Sequence, residues 1–128
     1  MALLSSAALA ARDVASARST AVRACFARIL RQRFAGRSIR GARVASISLS
    51  PLPAQAPGTD GGAGLRVTVN ITPAHSETSI PIYVDLLAFT LGPVEVSLQA
   101  LSVVQPEPST TERQLLLLLV DRAEAYGR

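Results

Sequence analysis

Leu65, Val67, Val69 and Ile71 alternate with Arg66, Thr68, Asn70 and Thr72, and the same two-residue period recurs in two other segments. Ala45, Ile47 and Leu49 alternate with Ser46, Ser48 and Ser50, while Val94, Val96, Leu98 and Ala100 alternate with Glu95, Ser97 and Gln99. Successive side chains of a strand point to opposite faces, so this pattern predicts strands with one buried and one wet face, as in an antiparallel sheet. Residues 80–91 are apolar on both faces except at Asp85, which predicts a central strand covered on both sides.

The breaks between these segments are equally legible. Pro51 to Gly64 carries three prolines and four glycines and predicts a flexible loop over 51–64. A second loop, Pro73 to Ser79, holds the only histidine, His75, and Leu91-Gly92-Pro93 predicts a short hairpin connection. Gln105-Pro106-Glu107-Pro108 ends the sheet. Ser109 and Glu112 then have the spacing of a capping box, so a helix is expected over 110–125. Leu115, Leu116, Leu118, Leu119 and Ala123 are its expected buried stripe, and Gly127 suits its end.

Residues 2–35 are rich in Ala and Arg and contain neither Gly nor Pro, which predicts one long helix over 1–35. On a helical wheel Val14, Ala21, Val22, Cys25, Phe26 and Ile29 share an arc, Arg12, Arg23, Arg28 and Arg31 lie outside it, and Arg18 falls within it. The expected fold is α+β: a four-stranded antiparallel meander over 44–104, packed with the long N-terminal helix and the C-terminal helix in a single domain, 1–128. A second arrangement has the sheet curl around the first helix, as in cystatins.

A chain of 128 residues has room for one modest core, and 48% apolar residues exclude a disordered chain. The longest leucine run, Leu115 to Val120, is far short of the ~18–20 residues of a membrane span. All thirteen basic residues are arginine, and nine of them precede Val44 with Asp13 as the only acid there. Such asymmetry suits either a nucleic-acid or membrane arm, or an amphipathic helix paired with its own acidic half. Cys25 alone allows neither an internal disulfide nor a multi-cysteine metal site, and its apolar neighbours suggest a small buried residue. MALLSSAALAARD lacks a basic start and a long apolar stretch, so it reads as helix rather than export signal.

Little here points to reaction chemistry. His75 has only Glu77 near it in sequence, and it reads as a solvated loop residue rather than a metal ligand. Asp85 interrupts an apolar strand, where a carboxylate must be exposed, hydrogen-bonded or paired. A structural ion pair with an arginine of the first helix, Arg18, is the expectation, and a general acid or base is the alternative. Asn70-Ile71-Thr72 matches a glycosylation triplet but falls inside a strand. Arg12, Arg23, Arg28 and Arg31 are the candidate partner-binding residues. They spread widely around the helix without aromatics beside them, which argues against a nucleic-acid stripe.

Cys25-Phe26 in an Arg-rich helix, Ser50-Pro51-Leu52-Pro53, Ile82-Tyr83-Val84-Asp85 with Phe89 and Gly92, and Pro106-Glu107-Pro108 before Glu112 together resemble small exported actinobacterial domains of the PsbP/Mog1-like type. That group includes mycobacterial lipoproteins and sensor modules, and the resemblance runs loosely from Ala21 to Tyr126. It implies a binding or scaffold module of the cell envelope, with no catalytic residue to carry over and no cofactor. Relatives of this type carry an export signal and more sheet before the long helix, so an N-terminally truncated domain or a misplaced start is expected. Pro93 stands where they have a basic residue.

The expected function is therefore a non-catalytic interaction or ligand-binding module, its partner an unidentified protein or small ligand. A homodimer through an open sheet edge is also expected. The alternatives are a cytoplasmic nucleic-acid-binding protein using the Arg-rich helix and a small cystatin-like enzyme using Asp85.

Overall fold

In a computed structural model describing residues 1–53 and 57–126, the chain runs β1 (Ala2–Leu3), α1 (Ala7–Ser16), α2 (Thr20–Phe34), β2 (Ser38–Ile39), β3 (Ala42–Leu52), β4 (Gly61–Thr72), β5 (Ile80–Leu91), β6 (Val94–Val103) and α3 (Ser109–Tyr126). All neighbouring strands pair antiparallel in one curled, six-stranded sheet of order β1-β6-β5-β4-β3-β2. Four long strands form the expected meander, and two short ones, β1 and β2, add to its edges.

The expectation of a four-stranded sheet under one long N-terminal helix is overturned. Residues 1–35 form a two-residue strand and two separate helices. The reason lies in the serines. Ser6 accepts from the Leu9 amide at 3.2 Å and starts α1. The Ser16 hydroxyl donates to the Asp13 carbonyl at 2.7 Å, and Ser19 accepts from the Val22 amide to cap α2. Short hydroxyl side chains compete for backbone partners, and here they win over helix propensity.

The break resets the phase of the helical wheel. The inner face of α2 is Phe26, Ala27 and Leu30, whereas Val22, Cys25 and Ile29 are exposed, so Cys25 is a free surface thiol rather than a buried hydrophobe.

Strand boundaries also move. Pro51 and Leu52 belong to β3, and Gly61 to Gly64 pair with Leu87 to Thr90 of β5, so the expected loop over 51–64 shrinks from both ends. Glycines carry no hydropathy pattern, which hid this stretch of strand. Residues 54–56 of that loop, and Gly127, lie outside the described residues. The sheet also begins before residue 44, with β2 and Ala42. A bulge between Val44 and Ser46 makes Ala45 the extra residue, so Val44 and Ile47 both turn inward while Ala45 is exposed.

The pleat divides the sheet into two faces. One carries Val44, Ile47, Val67, Val69 and Val84, with Phe26 and Leu30 of α2 packed on it. The Cβ direction of Gly61 belongs to this face and meets the Arg18 guanidinium, which places the end of α1 here too. The other face carries Leu87, Phe89, Val94 and Val96, sealed by Leu116, Val120 and Ala123 of α3. Within α3 the buried stripe is Glu112, Leu116, Val120 and Ala123. Leu115 and Leu118, expected inside, are exposed.

Candidate functional site

Asp85 sits in the middle of β5 on the α3 face and is 1% exposed. Its partner is Arg66, directly opposite on β4, with both Nε and Nη2 donating to the carboxylate at 2.7 Å. The expected pair with Arg18 is not formed. Arg18 lies on the opposite face, beside Arg23 and the backbone of Gly62 and Gly64 in a separate hollow. The geometry is the two-pronged fork that a guanidinium makes with a carboxylate. Arg66 also lies over the Tyr83 ring, 5.6 Å from its centre, so the ring face adds a cation–π contact to the ion pair.

Glu112 completes the group. It is read from sequence as half of a capping box, yet it turns inward at the first turn of α3 and is only 7% exposed. As a carboxylate its Oε1 is buried without a hydrogen-bond partner. Burial, then a hydrogen bond and the negative charge of Asp85, push Glu112 up to about 7, with Arg66 pulling the other way and Glu107 adding to the rise. Burial would also raise Asp85, but the hydrogen bonds from Arg66 and Glu112 and the Arg66 charge bring it below the ordinary carboxylate range. The Asp85 hydrogen bond in turn raises Arg66, burial opposes this, and the charge of Asp85 reinforces it. Two carboxyls that face each other share one proton. Asp85 keeps the charge because Arg66 neutralises it, and Glu112 keeps the proton, which supplies the partner that its buried oxygen lacks.

This group forms part of a cleft of about 590 Å³. Its floor is Arg66, Leu87, Glu112 and Leu116, its walls are Leu52 and Pro53 on one side and Pro106 to Pro108 on the other, and the start of α3 opens into it. Asp85 is not among the lining residues; it stands behind Arg66 and Glu112. Gly64 makes the floor possible. A Cβ there would come within 2.5 Å of the Leu52 carbonyl oxygen and 2.8 Å of Leu87, so any side chain would push the wall away from the floor. A cleft of this size with apolar walls and a few convergent polar groups suits a small organic ligand.

The arginines expected to bind a partner are not brought together. Arg12 is exposed on α1; the other three are on α2. Arg23 donates to the Arg18 carbonyl at 2.8 Å and Arg31 to the Ile47 carbonyl at 3.1 Å, so both serve to anchor α2 locally, and Arg28 is exposed. His75 is exposed in the 73–79 loop with a left-handed φ of 61°. Asn70 points its amide at the Ser46 hydroxyl across the sheet at 2.8 Å. Among the described residues no cluster of three His, Cys, Asp or Glu could hold a metal ion, and no helix is long and apolar enough to cross a membrane.

Arg66 and Glu112 are the site residues that sequence reasoning missed. Arg66 lies on the polar side of its strand, but its register opposite Asp85 depends on a 73–79 loop with no diagnostic turn. Glu112 fits the capping-box spacing, which masked its inward turn. Set against known protein families, curated proteins and solved structures, the chain matches none.

Proposed function

We propose that this protein is a non-catalytic binding module whose cleft at the start of α3 takes a small, partly apolar ligand. The observation that carries it is the cleft itself, which sets Arg66 and Glu112 side by side on its floor among the apolar Leu52, Pro53, Leu87 and Leu116. Its walls supply apolar area, while the Arg66 guanidinium and the α3 N-terminus supply donors. A general acid or base must meet its substrate. Asp85 is held ionised by Arg66 behind the cleft, and this favours binding over catalysis. Placement in the cell envelope and kinship with PsbP/Mog1-like domains belong to the same proposal and rest on the sequence resemblance. A homodimer through a sheet edge belongs to it as well and rests on the open outer edge of β6.

Titration of the ¹⁵N-labelled protein with a fragment set of aryl and alkyl carboxylates, amides and alcohols tests the reading. Saturable amide shifts at Leu52, Arg66, Leu87 and Glu112 are expected. Shifts confined to the α2 side of the sheet, or none, would contradict it.

A further inference from the structure

The outer edge of β6 is open along most of its length. β1 covers only its first two residues, with Ala2 opposite Glu95 and Leu3 opposite Val94. The two-residue Gly92-Pro93 turn closes on the Leu91–Val94 pair, which fixes the direction of every later peptide. Even-numbered residues of β6 bond to β5 and odd-numbered ones turn their N–H and C=O outward. The Leu4 amide bonding to the Pro93 carbonyl at 2.8 Å, and Ala2 pairing with Glu95, follow this parity. Past β1, the outward residues are Ser97, Gln99, Leu101 and Val103.

Natural edge strands are guarded by charge, proline, a bulge or a covering segment. Val96 to Val104 contains no charged residue and no proline, and its pairing with β5 runs in unbroken register. The same stretch displays apolar side chains to water, with Leu101 65% and Val103 56% exposed. Among the described residues, the outward backbone groups past β1 and the Leu101 and Val103 side chains therefore lack a covering strand, and the missing element has the shape of one.

We propose that β6 pairs antiparallel with β6 of a second copy about a twofold axis at Ala100, joining the two sheets into one. A second copy fits because the edge is complementary to itself. With the axis at Ala100, Ser97 opposes Val103 and Gln99 opposes Leu101 of the other copy, so every outward residue past β1 exchanges both of its backbone bonds. Shifting the axis by one residue in either direction along the strand leaves at least one outward residue unpaired. Like charges are not set opposite one another, although the chain as a whole is basic, since the paired stretch from Val96 to Val104 carries no charge. Ala100 at the axis is small enough for the close approach of a non-hydrogen-bonded pair. On the face shared with Val84, Leu101 lies diagonal to its own twin, and the exposed apolar side chains of each copy shelter the other's.

Sedimentation equilibrium over a wide concentration range tests this directly. The expected species at high micromolar concentration has twice the 13.4 kDa chain mass. Gln99→Pro removes an outward N–H and leaves the β5 ladder intact, so it should yield a folded monomer by circular dichroism. Leu101→Lys, which keeps every backbone group but adds facing charge, should weaken association at least tenfold. Leu118→Lys, on an exposed apolar position of α3, should leave the dimer unchanged. A wild-type monomer at all concentrations, or a dimer that survives both β6 changes and is lost with Leu118→Lys, overturns the proposal.

Discussion

The two faces of the sheet are built from the same residue types and end up in different states. On the α3 face, Leu87, Phe89, Val94 and Val96 are sealed by Leu116, Val120 and Ala123, and the buried charges of the layer are gathered in one group, Asp85 with Arg66 and Glu112. On the other face the apolar contact of α2 with the sheet is made by Phe26 and Leu30, and Arg31 donates to the Ile47 carbonyl. A shallow apolar groove is left between that helix and Val69, Val84 and Leu86, and Phe34 and Ile29 stay in water. Close packing sets the stability of one face and loose packing leaves the other adaptable. The buried charged group, Asp85 with Arg66 and Glu112, lies on the tightly packed side, at the seam where α3 begins.

Substitutions that probe one face against the other sharpen this contrast. Phe89→Ala should cost about 3–5 kcal/mol in urea unfolding, whereas Phe26→Ala on the groove side should cost roughly 1–2 kcal/mol. Equal costs would mean that the two faces pack alike. Within α3 the same logic separates neighbours. Leu116→Ala should lose about 2–4 kcal/mol, and Leu118→Ala, at a position 59% exposed, about 0.5 kcal/mol or less, both read from thermal or urea unfolding.

One substitution should bring a gain. Glu112 binds its proton in the folded protein up to about pH 7, while the unfolded chain releases it near the ordinary value of 4.5. Between those limits the folded state holds more protons, so stability falls as pH rises through the window and the loss is complete above it. Glu112→Gln keeps the shape of the protonated acid and cannot ionise. It should be close to neutral at pH 4.5 and stabilise by about 2–3 kcal/mol at pH 8. Asp85 acts in the opposite sense: its contribution is present above the ordinary carboxylate range and is lost only as the solution becomes strongly acid.

Much of this architecture is legible in the sequence, and the gaps have physical causes. The period-two segments place the four long strands, and the apolar run broken by Asp85 marks the central one, because pleat and burial leave a direct hydropathy record. Helix continuity is not recorded that way. Ser16 and Ser19 break the N-terminal segment through local hydrogen bonds that composition hides. The Val44/Ser46 bulge shifts the inward phase by one residue, and no residue type announces it. Asp85 stands out as a residue that needs a partner, but its partner depends on register. Arg66 is selected by pairing of β4 with β5, and Glu112 by the way α3 docks. Both are long-range facts, and a site built from three separate elements leaves no local motif.

Glu112 holds a proton at the edge of the cleft while Asp85 stays ionised against Arg66. Carbon-detected NMR titration of the Glu112 side-chain carboxyl reads this directly. A midpoint near pH 7 is expected, moving toward the ordinary range when Asp85 is replaced by Asn. A midpoint near 4.5 in the folded wild-type protein would show two independent carboxylates and would contradict the site described here.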